Sequence, residues 1–509
     1  SPTLHRHPTF KSYEGMIMRP IRLCITALLL LLPIFLVAQD GVPLFTEDFP
    51  PEEFAARRSM IADSIGSDAI AVFQGAPNPE GFVRFRQSNQ FYYLTGIEVP
   101  HAYLTIDGLT GQSTLYLPHE NERRAQGEGK VLSAEDHEFI VDELGFDGVF
   151  GVGLLAEHLG RAARRGNVEA LYTLFSPAEG LAESRDGSLR TIADIASDPW
   201  DVSPSREGQF LTLLKSRFPS FEIRNLSPTL DAMRLVKSER ELAMIRKATR
   251  VSGLALMEAM RSTRPGIKEY HLDAVAKYVY FRDGAQGEAY YSLIASASNA
   301  YYPHYNAGKR TMQDGDLVLM DYAPDVGYYM SDVTRQWPVN GTFNEWQTEL
   351  YSFYLDCYQA ILTRIRPDVT PSAIGTEALA AMRDILASSS FSEPKYQKAA
   401  ETFVESFESR MDYPGASLGH WVGMSTHDVG NYSGPLKPGM VFTIEPALRV
   451  PEDQIYIRLE DLIIITEDGA EIVSDFVPMD IEGVEKLMEE EGLLQRYPAE
   501  IELLSEKRE

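Results

Sequence analysis

Five residues in the second half of this 509-residue chain, Asp321, Asp332, His420, Glu445 and Glu460, have the types and settings of a metal centre. Each sits inside or beside an apolar run. Asp321 closes Gly315-Asp-Leu-Val-Leu-Met-Asp321 and Asp332 closes Tyr328-Tyr-Met-Ser-Asp332. His420 stands in Leu418-Gly-His-Trp-Val-Gly423, Glu445 in Gly439-Met-Val-Phe-Thr-Ile-Glu445, and Glu460 in Ile457-Arg-Leu-Glu460. A carboxylate in such surroundings is costly unless it is paired or metal-bound. Four carboxylates with one imidazole and no thiolate suit a hard or borderline divalent ion such as Mn, Co or Zn, and argue against a structural zinc site. So much negative charge calls for two ions. Two ions roughly 3.5–4 Å apart can share a hydroxide and polarise a carbonyl, so the implied chemistry is metal-assisted hydrolysis.

The elements that must position these groups follow from pattern. The run ending at Asp321 reads as a strand, and Tyr328 to Thr334 as a second strand returning after a turn at Pro324 and Gly327. This hairpin would bring the two aspartates to one point. Ser238-Glu-Arg-Glu241 is a capping box, followed by Leu242, Ile245, Ala248 and Val251 at helical spacing. Further helices are expected over residues 267–281 and 344–364. The N-terminal half reads as an α/β domain: a helix from Phe54 to Ala62, a buried strand from Ala69 to Phe73, and a strand at Phe91-Tyr-Tyr-Leu94. A hairpin of Ala102–Ile106 with Ser113–Leu117 turns at Gly108 and Gly111. The boundary falls near Asp231–Ser238, giving an α+β protein of two domains, 45–232 and 233–485, with a polar tail at 486–509.

Composition sets outer limits. The segment Met16-Ile-Met-Arg-Pro-Ile-Arg22 is basic, Leu23 to Ala38 is apolar, and Gln39-Asp40 follows, which is the shape of a secretory signal peptide starting at Met16 or Met18. The apolar run is too short for a convincing spanning helix, with an uncleaved anchor or a buried helix as the alternatives. Residues 1–38 are therefore expected to be a leader, and the mature chain to be exported, periplasmic or secreted, with no stable membrane insertion. The net charge of −27 repels nucleic acid and anionic lipid, so no nucleic-acid partner is expected. Of two cysteines, Cys24 lies in the leader, so Cys357 has no partner for an internal disulfide.

The second domain resembles the pita-bread metallopeptidases of family M24, which include methionine aminopeptidase, prolidase and aminopeptidase P. The matching segments are His304-Tyr-Asn306, Gly315–Asp321, Ser331-Asp-Val-Thr-Arg335 with Pro338-Val-Asn-Gly341, Gly419-His420, His427-Asp-Val-Gly430, Thr443-Ile-Glu-Pro446 and Arg458-Leu-Glu-Asp461. Phe54…Arg57-Arg58 and Phe85–Gly96 resemble the creatinase-like N-terminal domain of aminopeptidase P and prolidase, which methionine aminopeptidases lack. The resemblance implies that Asp321 chelates one metal, that His420 and Glu445 hold the other, and that Asp332 and Glu460 bridge both, most often with manganese. It places His427 near the scissile carbonyl, His304 in the substrate cleft and Glu445 as proton relay, and it makes Arg458 a candidate for substrate binding. It also implies a homo-oligomer, dimer or tetramer. One departure stands out: Ala416 occupies the place of a family histidine four residues before His420. Tyr328, Tyr413 and Arg449 are candidate substitutes, and Ala447 and Arg449 also depart from the family pattern. The expected function is an exported dinuclear-metal aminopeptidase acting on peptides with proline at the second position. The alternatives are a prolidase-type Xaa-Pro dipeptidase and a metal-binding relative with lost or altered peptidase activity.

Overall fold

The computed structural model describes residues 48–180, 184–413 and 415–498. The leader and the last part of the polar tail lie outside this range. No helix of the described residues is long and apolar enough to cross a membrane.

The N-terminal domain is built on a six-stranded mixed sheet in the order β4-β3-β2-β1-β5-β6. Its strands are β1 (Ala69–Gln74), β2 (Tyr103–Asp107), β3 (Ser113–Leu117), β4 (Gly148–Gly151), β5 (Ala170–Thr173) and β6 (Glu222–Asn225). The apolar run of β1 lies near the centre and is covered on both faces, as a continuous hydrophobic strand must be. The hairpin forms as expected, with Leu104 opposite Leu115.

Phe91–Leu94, expected as a strand, is instead part of a helix, Asn89–Thr95. All seven residues are buried, so the segment has no polar face to reveal a helical period. Tertiary contacts decide its conformation. Gly96 takes a left-handed turn (φ 65°) and its N–H bonds the carbonyl of Tyr92. Arg57 and Arg58, from the helix Pro51–Ile65, donate to the carbonyls of Tyr93 and Leu94 at 3.0 and 3.1 Å. Two guanidiniums thus satisfy the helix C-terminus, where carbonyls lack partners and positive charge is favoured.

The second domain opens where the capping box predicts. Ser238 Oγ accepts from Glu241 N, the Glu241 carboxylate accepts from Ser238 N, and the helix runs from Glu239 to Ser262. It packs against the helix Glu269–Arg282, and the helices Glu345–Leu362, Pro371–Ser388 and Pro394–Met411 follow, each against the next. The strands are β7 (Gly287–Glu288), β8 (Leu293–Ser296), β9 (Leu317–Asp321), β10 (Pro324–Asp325), β11 (Thr334–Pro338), β12 (Val441–Ile444), β13 (Ala447–Val450), β14 (Ile455–Arg458), β15 (Asp461–Ile465) and β16 (Ala470–Ile472). They form short antiparallel sheets, β11-β9-β8, β12-β15-β16, β13-β14 and β10-β7, and a bridge from Thr334 to Glu460 ties the first to the second. Buried Trp337 anchors β11 to the long helix by donating to Thr263 Oγ1 at 2.9 Å.

The expected hairpin is altered in one respect. β9 and β11 pair, with Thr334 opposite Asp321, but residues 326–333 are not a strand. Tyr328 has φ 73°, and its ring stacks on Tyr92 with centroids 3.5 Å apart. Its hydroxyl donates to Glu98 at 2.6 Å and accepts from Gln87 N at 2.9 Å. The loop is drawn into the N-terminal domain, and the chain re-enters the sheet at Thr334. The start of the expected polar tail is also folded: Leu487 and Met488 are buried, and Glu490 pairs with Arg261 at 2.6 Å.

Candidate metal centre

Four strand ends and one glycine turn bring the ionisable groups together. Asp321 ends β9, and Asp332 precedes β11, whose Thr334 lies opposite Asp321. Glu460 lies between β14 and β15 and exchanges backbone hydrogen bonds with Thr334 at 3.2 and 3.1 Å. Glu445 follows β12, whose last residue, Ile444, is opposite Asp461. Asp461 itself accepts from Arg335, Tyr358 and Ser474, so it clasps the strands and leaves Glu460 to face the centre. His420 enters on a close turn: a Cβ on Gly419 would lie 1.8 Å from the Thr443 carbonyl oxygen, so only glycine fits there.

His420 Nε2 lies 3.4 Å from Asp332 Oδ2, 3.6 Å from Glu445 Oε1 and 3.8 Å from Glu460 Oε1. Asp332, His420 and Glu460 each present one ligand atom within 4.8 Å of the others. Asp321 joins the same cluster through two groups. Tyr290 OH lies 2.6 Å from Asp321 Oδ1 and 2.7 Å from Asp332 Oδ1. Arg458 bonds Asp321 Oδ2 and reaches Glu445 Oε2 at 3.2 Å. Thr334 Oγ1 donates to Glu460 Oε2 at 2.7 Å and accepts from Arg458 at 3.0 Å.

The charges do not balance without further cations. Burial pushes the Asp321 carboxyl up to about 7, with Arg458 opposing and Asp332 adding to the rise. Burial, with Asp332 and Glu445 nearby, holds Glu460 well above the usual carboxylate range. Burial also works against ionised Asp332, but its contact with His420 outweighs it and lowers the value. For His420 burial disfavours the charged ring, yet Asp332 and Glu445 raise it. The fit to a metal shows most directly at Glu460 Oε1, which is buried, has no hydrogen-bond partner among the described residues, and lies 3.8 Å from His420 Nε2. The donor set of carboxylates and one imidazole suits divalent ions of the Mn, Co or Zn type.

The remaining expected residues are placed as follows. His427 lines a cleft of about 670 Å³ together with His420, and the two ring centroids are 4.0 Å apart. Burial and the His420 charge lower its basicity. His304 is exposed, in the loop after β8. Arg458 is only 5 % exposed and is committed to Asp321 and Glu445, so it props the ligands rather than offering a free cation to substrate. Ala416 is buried. None of its candidate substitutes joins the carboxylates: Tyr328 is bound to Glu98, Tyr413 is exposed, and Arg449 lies over the rings of Tyr456 and Tyr301. Tyr290 and the hydroxyl of Thr334 were not legible as site residues. Tyr290 stands in Ala289-Tyr-Tyr291, which carries no period or motif, and Thr334 reads as an ordinary strand residue.

Comparison with known proteins adds an independent line. Residues 243–467 match the model of metallopeptidase family M24, and residues 54–172 match that of the aminopeptidase P N-terminal domain. The chain is 28 % identical over 458 residues to an Xaa-Pro aminopeptidase of Haemophilus influenzae, covering 86 % of this chain and 97 % of that protein. It is 26 % identical over 504 residues to a human Xaa-Pro dipeptidase, covering 86 % and 93 %. Among solved structures, Escherichia coli aminopeptidase P with the inhibitor Pro-Leu superposes with a TM-score of 0.69 at 26 % identity, over 86 % of this chain and 98 % of that one.

Proposed function

Because the chain belongs to metallopeptidase family M24 and is a metallo-aminopeptidase, we propose that it is an exported enzyme that uses two divalent ions to release the first residue from peptides with proline in second place. The observation that carries the reading is the convergence of Asp332, His420 and Glu460, with Glu445 beside His420 and Asp321 joined through Tyr290 and Arg458. Divalent ions held there, manganese in the first instance, would supply carbonyl polarisation and an activated water at neutral pH. Tyr290 and Arg458 keep Asp321, Asp332 and Glu445 in place. Glu445, whose side chain is 25 % exposed, is the carboxylate open enough to carry a proton to the leaving imino nitrogen. His427 stands on the cleft wall, where a neutral ring can meet the substrate. Export is supported by the basic and then apolar leader.

A prolidase-type dipeptidase needs a cation for the free carboxylate of its substrate. Of the two candidates, Arg458 is engaged by Asp321 and Glu445, whereas Arg449 is exposed over the rings of Tyr301 and Tyr456, so substrate length separates the two readings. The test is to compare an Xaa-Pro dipeptide with longer Xaa-Pro peptides, using protein loaded with Mn, Co or Zn. The proposed activity releases the first residue from the longer peptides faster. Preference for the dipeptide would transfer the assignment to the dipeptidase. Bound metal with no turnover of either would support a relative whose peptidase function was lost with the change at Ala416.

A further inference from the structure

Residues of the N-terminal domain reach across the cleft to the loop that carries His427. The His427 backbone N–H donates to Ser184 Oγ at 3.2 Å, and its ring Nδ1 lies 3.2 Å from Asp186 Oδ2. Asp186 belongs to the first turn of the helix Arg185–Ser197, and Ser184 is its N-cap residue. Arg185 pins the start of that helix by bonding Glu179 at 2.9 Å and both carboxylate oxygens of Asp231. The next residue of the loop, Asp428, is bonded to Arg234 at 2.5 Å and to Lys237 at 3.2 Å. Two consecutive residues are therefore held from outside the sheets that carry the metal ligands.

We infer that Asp186 is a positioning residue for His427, fixing the flip and the tautomer of its ring. The inference rests on the reading of the site as that of an Xaa-Pro aminopeptidase. The His427 side chain is 47 % exposed and that of Asp186 is 54 % exposed. A ring so exposed can turn about its last bond, which swaps Nδ1 with Cδ2 and Nε2 with Cε1 and changes what the ring presents to the cleft. The tilted contact with the His420 ring, centroids 4.0 Å apart, does not distinguish the two flips. The Asp186 contact removes that ambiguity, because a carboxylate oxygen only accepts and so requires the hydrogen on Nδ1. Nε2 is left for the cleft, as an acceptor in the neutral ring.

The test uses the metal-loaded full chain and the variants D186A, D186N and D186E. Loss of an acid–base group costs about 10²–10⁴-fold, and loss of its orienting partner is expected to lower kcat about 10-fold or more in D186A, with KM changed less than about 3-fold. Metal content and thermal midpoint stay at wild-type values. D186N falls at least as far, because its amide can turn N–H toward Nδ1 and select the other tautomer, while D186E restores most of the rate. The second readout is the ¹⁵N signal of His427, identified by its loss in H427Q. The wild type shows the Nδ1–H tautomer, and D186A moves to Nε2–H. Unchanged kcat in D186A, an unchanged tautomer, or loss of metal or fold in that variant overturns the inference. If the wild type itself cleaves no Xaa-Pro peptide, the functional reading fails, and the tautomer shift alone decides the role of Asp186.

Discussion

At the scale of single residues, the site is defined by a charge imbalance. Among the described residues, Arg458 is the arginine paired with Asp321, Glu445 and Glu460, and a single charge cannot neutralise these three and Asp332. Tyr290 bonds a ligand on each side, so Tyr290→Phe should weaken divalent-metal affinity about 10–100-fold while leaving the fold intact. Titrating the variant with Mn while following heat or activity measures this, and wild-type affinity would show the hydroxyl to be dispensable. A pH dependence follows from Asp321. Its carboxyl titrates near 7 in the folded metal-free chain but near the ordinary value of about 3.9 when unfolded. The raised value means that the proton stabilises the fold fully below about 3.9, and that this stabilisation is lost as pH rises through about 7. A metal replaces the proton. The rise in thermal midpoint on adding Mn should therefore grow between about pH 5 and pH 8, whereas a rise that is flat across this range would contradict the burial of an unbalanced carboxylate at Asp321.

At the scale of elements, what could be read in advance depended on how locally each element is determined. The capping box at Ser238 and Glu241 lies within four residues and starts a helix with an apolar stripe, so sequence pattern alone locates it. The helix Asn89–Thr95 is hidden from sequence pattern because its aromatic, fully buried residues favour strands, while the groups that settle it, Arg57 and Arg58, come from another helix. The loop at 326–333 is hidden for the same reason, since Tyr328 is held by Glu98, Gln87 and Tyr92 of the other domain. The five candidate ligands were legible because each stands at an abrupt junction of apolar run and ionisable group. Tyr290, Thr334 and Asp186 were not, because their roles exist only through partners distant in sequence. Gly419 gives an element-level test. Its Cβ would collide with the backbone of β12, so Gly419→Ala should destabilise the protein by about 1–3 kcal/mol or more and displace His420. Denaturant unfolding and metal titration of the same variant would show both effects, and unchanged values in both would show that the turn yields freely.

At the scale of the whole molecule, the N-terminal domain is more than an appendage. It supplies one wall of the cleft through Arg185, Asp186 and Leu189. Its buried Glu179, with Arg234 and Asp428, forms a network between the domains, with Arg234 bonding Glu179 at 2.7 Å and Asp428 at 2.5 Å. Removing the guanidinium leaves two buried carboxylates poorly paired, so Arg234→Met should cost about 3–5 kcal/mol. The same network has an acid limit. Burial opposes ionised Asp428, but Arg234 and Lys237 more than offset it and keep its carboxyl below the ordinary range. Its contribution to stability is present above about pH 3.9 and is lost as pH falls toward the lowered folded value. Denaturation curves of wild type and Arg234→Met at pH 7 and pH 3 should therefore converge on acidification, and a gap independent of pH would contradict the pairing.

The most direct measurement is a joint titration of metal and turnover: Mn added to metal-free protein, with bound ions per chain and release of the first residue from a long Xaa-Pro peptide followed together. The expected result is hydrolysis that appears with metal and saturates at two ions per chain, both lost in His420→Ala. Turnover at full rate without metal, or none at saturating Mn, Co and Zn, would contradict the reading of these five residues as a hydrolytic two-metal centre.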